Sequence, residues 1–298
     1  MSFVQFKKIG ITGASGFVAS NLIQEFEHKY KIRKYHRSSN ILIDEEVVIH
    51  LAAISDDVKN ARNPEEYFNV NTEYTKKVFR SFLNSNASIF IMLSSVKAIA
   101  DSIDGFLSEE TRPNPMSYYG KSKLLAERFI FSNKIPEKKK IFVLRPCMIH
   151  GPRNLGNIKH LYNVIAMGYP WPLGKYTNVR SYCSIDNLLF VIDELISRED
   201  IPSGVYNVAD NQPVSTNELV TLMAMLANVK PRIWNIPKSI INTVAIAGDY
   251  FNLPLNSDRL KKLSESYLVS NEKLVSVLKK PLPLSSHEGL IKTFNSFK

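Results

Sequence analysis

Lys8-Ile9-Gly10-Ile11-Thr12-Gly13-Ala14-Ser15-Gly16-Phe17-Val18-Ala19 runs from an apolar strand through a glycine-rich turn into a helix start. Gly13 permits the tight turn, and Gly16 lets backbone N–H groups approach a diphosphate. The helix that follows directs its positive end at the same place. Ala19 occupies the third small-residue position and still allows close helix–strand packing. Gly10, Gly13 and Gly16 also read as a set of three, although Gly10 lies inside the strand. Strand, turn and helix in this order point to a dinucleotide site.

Outward from this turn, short apolar runs alternate with helical patterns, the mark of a parallel α/β sheet. The expected strands are Lys8–Thr12, Lys31–His36, Val47–Leu51, Ile89–Leu93 and Ile141–Leu144; the expected helices are Phe17–Phe26, Pro64–Leu83 and Tyr118–Ser132. Only Ser38–Glu45 separates the second strand from the third, whereas a helical crossover needs about a dozen residues. Eight extended residues reach roughly 26 Å, enough to return across the sheet without winding a helix. The usual third βα unit is therefore expected to be pruned to a loop or short edge strand, with Asn40–Ile43 the one candidate strand. After Gly151-Pro152 the strands become short and isolated, which suggests a smaller α/β lobe over the carboxyl edge of the sheet. Gly204–Ala209 reads as a strand that rejoins the first sheet, and Ser215-Thr216-Asn217-Glu218 as a capping box that opens a helix.

Composition narrows the class. At 298 residues, with 44% hydrophobic and 22% charged residues, the chain resembles an ordinary soluble protein of one or two domains. It contains no apolar run long enough to span a bilayer, and its N-terminus does not read as a signal peptide. Cys147 and Cys183 are too few for a disulfide framework or a zinc cluster, so no metal is expected and a cytoplasmic setting fits. The net charge of +10 invites a nucleic-acid reading, but the charges are scattered, and Lys138-Lys139-Lys140 reads as a solvated loop. A basic surface equally suits a small anionic substrate that it steers.

Tyr119 and Lys123 lie four apart in a predicted helix, so the ammonium stacks beneath the phenol. A nearby positive charge favours phenolate and suits the phenol to proton transfer. Tyr118 has Ser122 rather than lysine at its i+4 and lacks that partner. Ser94-Ser95 ends the strand Ile89–Leu93, on the edge where ligands of parallel sheets bind. The second strand ends in Tyr35-His36-Arg37-Ser38-Ser39, without the acid that would hold a ribose 2′-hydroxyl. Arg37 and Ser38 suit a 2′-phosphate instead, which favours NADP(H) and leaves NAD possible. His50 and His150 read as packed structural histidines; Trp171 reads equally as a substrate cover or interface filler. The Ile240–Ala247 stretch reads as core or a dimer face rather than membrane.

These stretches together resemble the extended short-chain dehydrogenase/reductases of the nucleotide-sugar epimerase/dehydratase group. The likeness is carried by Thr12–Phe17, His50-Leu51-Ala52-Ala53, Asn69-Val70-Asn71, Leu93-Ser94-Ser95, Tyr119-Gly120-Lys121-Ser122-Lys123 and Leu144-Arg145-Pro146. Pro172-Leu173-Gly174, Arg180-Ser181 and Ile185-Asp186-Asn187 extend it. The resemblance implies an α/β fold: a Rossmann-type doubly wound parallel sheet over 1–152, rejoined near 204–209, with a substrate lobe mainly from 153–298. It implies Tyr119, Lys123 and Ser95 as the catalytic set. It implies cofactor contacts from Gly13, Ser15, Gly16, Phe17, Val18, Arg37, Ser38, Leu51, Ala52, Ala53, Asn69 and Pro146 as well as Tyr119 and Lys123, Asn69 also supporting the polar network. Ser95, Tyr119 and Arg180 would meet the substrate, Arg180 at its diphosphate.

The departures sharpen the expectation. Dehydratases of this group carry Asp-Glu just after the Ser/Thr; Val96 and Lys97 stand here, which argues against dehydration. Met148 replaces a phosphate-contacting asparagine. The remaining pattern is most similar to the branch that acts at C4 of UDP-2-acetamido sugars for surface polysaccharides. Arg37 tilts the reading to an NADPH-dependent UDP-4-keto-6-deoxy-HexNAc reductase over an NAD-dependent UDP-GlcNAc or UDP-glucose 4-epimerase. A non-catalytic NADP-binding protein is the third reading. A homodimer through Pro64–Leu83 and Tyr118–Ser132 is implied by the resemblance.

Overall fold

The structure is a computed structural model that describes residues 6–37, 41–55, 63–251 and 255–298. In chain order it forms β1 (Lys8–Thr12), α1 (Phe17–Phe26), β2 (Lys31–Tyr35), β3 (Val47–His50) and α2 (Pro64–Tyr67). A π-helical segment (Phe68–Glu73) joins α2 to α3 (Tyr74–Leu83), followed by β4 (Ile89–Leu93), a 3₁₀ turn (Val96–Ala98) and β5 (Phe106–Leu107). Then come α4 (Tyr118–Phe131), β6 (Lys140–Pro146), β7 (Met148–His150), α5 (Asn157–Ala166), β8 (Val179–Arg180), β9 (Tyr182–Ser184), α6 (Ile185–Ser197) and β10 (Gly204–Val208). The chain closes with β11 (Val214–Ser215), α7 (Thr216–Leu226), α8 (Lys238–Phe251), α9 (Ser257–Ser264), β12 (Leu268–Val269), α10 (Glu272–Leu278) and α11 (Ser286–Asn295).

Six parallel strands form the main sheet in the order β10-β6-β4-β3-β1-β2. Thr12 lies level with both Tyr35 and His50, Leu93 with Leu144, and Pro146 with Val208, so every carboxyl end falls on one edge. Alternation puts Ile9, Ile11, Val47, Ile49, Ile91 and Leu144 against α1 and α6. Val48, Phe90, Met92 and Val143 face the other way, against Phe79, Phe82, Ala126 and Ile130 of α3 and α4. Two faces buried by helices make the sheet doubly wound. The strand expected at Gly204–Ala209 does return to the sheet beside β6, and the capping box at Ser215–Glu218 is present.

The third unit is pruned, as the short interval requires. Of the expected loop or short edge strand, the described residues Ile41–Ile43 take the loop; Asn40, Ser38 and Ser39 lie outside the described residues. A tyrosine packs along that edge instead. A Cβ on Gly10 would stand 2.7 Å from the Tyr35 ring, so Gly10 serves that close approach. The Tyr35 hydroxyl donates to the Leu42 carbonyl at 2.7 Å and to the buried Glu45 carboxylate at 2.5 Å.

A second apolar cluster joins α5, α7, α8, α9 and α11 through residues such as Ile158, Trp171, Leu219, Ile241, Leu260 and Phe294. This is the smaller lobe. Residues after 153 also serve the first core, because α6, β10 and α10 pack there. The Ile240–Ala247 stretch buries only one side, through Ile241 and Ala245. Among the described residues no helix is long and apolar enough to cross a membrane.

Candidate active site

The glycine turn fits a diphosphate. Gly13 has φ +73°, and a Cβ there would stand 2.5 Å from the Ala52 nitrogen and 2.6 Å from its Cα. Only glycine lets the turn lie against the Leu51-Ala52 backbone. Gly16 starts α1 without a side-chain cap, and Ser15 and Gly16 are exposed. The first N–H groups of α1 thus face outward beside the helix's positive end. Phe17 and Val18 are half-buried in its first turn, and Ala53 is exposed in the loop after β3. Arg37 is exposed just beyond β2, and its charge is felt at Tyr74. These residues fit a dinucleotide laid across the carboxyl edge.

Below this cleft the side chains interlock. His50 is buried, with Thr12 Oγ1 and Thr75 Oγ1 each 2.7 Å from a ring nitrogen. Thr75 gives its own hydrogen to the Asn71 carbonyl, so His50 Nε2–H donates to Thr75 and Nδ1 accepts from Thr12. Burial, and then the Lys123 charge, pulls the His50 pKa down to about 3. His50 is therefore neutral and structural.

Asn71 ties the loop after β3 to α4. Its side-chain oxygen accepts from Ile54 N at 2.8 Å; its amide donates to Ile54 O and to Ser122 Oγ, both at 3.0 Å. Ser122 in turn donates to the Tyr119 carbonyl at 2.8 Å. The expectation gave this polar network to Asn69. Asn69 lies exposed on the π-helical segment, and the buried asparagine is Asn71. The π-helical segment buries Val70, Asn71 and Thr72 in succession and so turns Asn71 inward.

Tyr119 lies half-buried in the first turn of α4, against Ile54, Tyr67 and Val70. One turn later Lys123 is buried, its Nζ donating to the Leu93 carbonyl at 2.8 Å. Burial lowers the Lys123 pKa to about 8, against the opposing pull of Glu127. Glu127 holds a buried fork with Arg145, Nη2 to Oε2 at 2.5 Å, and accepts the Ser94 hydroxyl. Ser94 is thus committed to structure. Ser95 starts the 3₁₀ turn; its oxygen accepts Lys97 N–H at 3.2 Å, and its hydrogen has no acceptor among the described residues. Pro146 is buried at the end of β6.

Sequence reasoning missed Asp101. Its carboxylate accepts Met116 N at 2.7 Å, Ser117 N at 2.9 Å and Ser117 Oγ at 2.8 Å, which fixes the entry into α4. These bonds offset the cost of its burial and bring the Asp101 pKa below its usual value. A Cβ on Gly120 would stand 2.3 Å from the Lys97 carbonyl, so α4 and the Ser95 turn are in close contact. Val96 is buried and Lys97 is a cation, so neither supplies a dehydratase's acid pair. Arg180 is held at the end of α9. Its Nε donates to the Glu265 carbonyl at 3.0 Å and its Nη2 to the Lys262 carbonyl. The last carbonyls of α9 lack helical partners and carry partial negative charge, so they attract the guanidinium. No cluster suited to a metal ion occurs among the described residues.

This geometry agrees with comparison to known proteins. The NAD dependent epimerase/dehydratase family matches residues 39–209, and the chain belongs to that family. The UDP-glucose 4-epimerase of Vibrio cholerae is 28% identical over 263 residues, covering 78% of this chain and 79% of that one. An Escherichia coli O157:H7 protein, N-acetyl-alpha-D-glucosaminyl-diphospho-ditrans,octacis-undecaprenol 4-epimerase, is 26% identical, with 76% and 74% covered. The GDP-6-deoxy-D-mannose reductase of Pseudomonas aeruginosa is 23% identical, with 78% and 84% covered. The solved structure of MoeE5 with UDP-glucuronic acid and NAD superposes with a TM-score of 0.76 at 22% identity, over 97% of this chain and 98% of that one. RMD from Pseudomonas aeruginosa, complexed with NADPH, gives 0.73 at 21% identity over 98% and 99%. The protein is an enzyme of the nucleotide-sugar epimerase/reductase type with an NAD(P) site.

Proposed function

We propose that this enzyme is an NADPH-dependent reductase acting at C4 of a UDP-linked 4-keto-6-deoxy-N-acetylhexosamine, a reaction that supplies sugars for surface polysaccharide. The observation that carries the choice is Arg37. It is an exposed cation just beyond β2, where an NAD-selective site would place a carboxylate. Ser38, its proposed partner at the 2′-phosphate, lies outside the described residues. Gly13, Ser15, Gly16, Phe17 and Val18 hold the diphosphate, Leu51, Ala52 and Ala53 line the adenosine half, and Asn69 and Pro146 complete the contacts.

When bound, NADPH supplies a hydride to the sugar's C4. Tyr119 protonates the C4 oxygen as negative charge develops there. Ser95, whose hydroxyl hydrogen has no acceptor among the described residues, donates to the same oxygen. Lys123, held on the Leu93 carbonyl, keeps a positive field one turn below the phenol and meets the nicotinamide ribose. Arg180 takes the diphosphate with the N–H groups that the α9 carbonyls do not engage. The work is done in the cytoplasm by a homodimer.

The same residues serve a 4-epimerase, in which Tyr119 first removes the hydroxyl proton. The names of the Vibrio and Escherichia relatives favour that second reading. Purified protein is incubated with NADPH and a UDP-4-keto-6-deoxy-N-acetylhexosamine. Stoichiometric loss of NADPH supports the reductase. Interconversion of UDP-GlcNAc and UDP-GalNAc without NADPH loss overturns it.

A further inference from the structure

We propose that one face of α8 rests on an anionic lipid surface. Ile241, Ala245 and Gly248 bury the inner side of this helix. Ile240, Val244 and Phe251 line up along an outer side at i, i+4 and i+11, and are 53%, 44% and 75% exposed. Ile246 and Tyr250 flank them, and Trp234 stands exposed just before the helix. Apolar and aromatic side chains gathered in this way mark an interaction site rather than scattered surface residues.

The surrounding charge identifies the occupant. From Val229 to Glu265 the cations are Lys230, Arg232, Lys238, Arg259, Lys261 and Lys262, against Asp249, Asp258 and Glu265. The three acids are engaged: Asp249 accepts the Ser257 N–H and hydroxyl, Asp258 pairs with Lys262 at 2.9 Å, and Glu265 pairs with Lys261 at 3.6 Å, which leaves an excess of cations. A symmetric contact between two copies would set these cations against themselves. A basic amphipathic helix with Trp, Tyr and Phe at its margin suits an anionic membrane interface, where the rings sit at headgroup level. The helix would lie on the surface and not cross it.

The face also connects to the substrate lobe. Tyr176 Oη donates to Asn242 Oδ1 at 3.2 Å, and Gly174 N donates to the Trp234 carbonyl at 3.0 Å. Docking would hold the segment that leads to Arg180 close to the lipid. The inference goes beyond the reductase reading and is tested without substrate or cofactor.

The test is co-sedimentation of the full chain with vesicles of phosphatidylglycerol and phosphatidylethanolamine, against phosphatidylcholine alone. The protein is expected to pellet with the anionic vesicles and to remain in solution with phosphatidylcholine. The exposed-site variant Ile240→Ser/Val244→Ser/Phe251→Ser, with its fold checked by circular dichroism, should lower the bound fraction about tenfold. Lys230→Gln/Lys238→Gln, or added salt, should weaken binding as well. Protein that stays in the supernatant with anionic vesicles overturns the proposal, as does the triple-serine variant binding like the parent. Light scattering without vesicles closes the other route. If the triple-serine variant falls to half the parent's mass, the face joins two copies instead.

Discussion

Burial of the Lys123 ammonium opposes folding while it is charged. The ammonium is buried on a single carbonyl, and burial lowers its pKa from the ordinary 10.5 to about 8. Between those values the unfolded chain binds a proton that the folded chain does not, so stability rises with pH across that window. Below about pH 8 the cost is present in full. Lys123→Met should therefore cut turnover at least about 100-fold without lowering Tm at pH 7. The parent should gain on the variant by up to about 3 kcal/mol as pH rises from 8 to 10.5, read from urea unfolding at each pH. A variant that is clearly less stable at pH 7 would contradict this account. At the same scale, Arg37→Glu should raise the KM for NADPH at least about tenfold and leave that for NADH within a few-fold, because only one cofactor carries the 2′-phosphate that meets the cation.

Two elements aim the chemistry: the glycine turn before α1 and the first turn of α4. The sequence made the first legible, because Gly13 and Gly16 flank a strand end and a helix start with the required spacing. It placed Tyr119 and Lys123 on one helix for the same kind of reason. It did not disclose what holds α4 in place. Asp101 reaches across from the loop after Ser95, and Asn71 reaches from a π-helical turn. Neither contact has a local sequence period, so pattern reading favoured Asn69 over the buried Asn71. The family resemblance picked Ser95 over Ser94, yet only packing reveals that Ser94 is committed to the Glu127–Arg145 fork. Contact between α4 and the Ser95 turn makes Gly120 a sensitive position. Gly120→Ala drives a Cβ to 2.3 Å from a backbone carbonyl. It should lower stability by about 1–3 kcal/mol and lower kcat more than it raises the substrate KM, measured by denaturant unfolding and steady-state kinetics.

The whole molecule follows from a short interval and a long return. The eleven residues 36–46 between β2 and β3 leave no room for a crossover helix, so β2 becomes the sheet edge and Tyr35 and Glu45 pack beside it. The interval length was legible; the tyrosine packing was not, because it joins residues ten apart through a buried carboxylate. The return of β10 to the first sheet was visible in the apolar run near 204–209, whereas the attachment of Arg180 to the α9 carbonyls joins residues more than eighty apart that meet only in the folded lobe. Both lobes and the carboxyl edge converge on the claim that Tyr119 gives the C4 oxygen its proton. The direct measurement is the rate of NADPH oxidation with the keto sugar for the parent and Tyr119→Phe, together with NADPH affinity from fluorescence titration. The account predicts a rate at least about 1000-fold lower for the variant with NADPH affinity within a few-fold. A variant that binds NADPH normally and turns over at the parent's rate would contradict it.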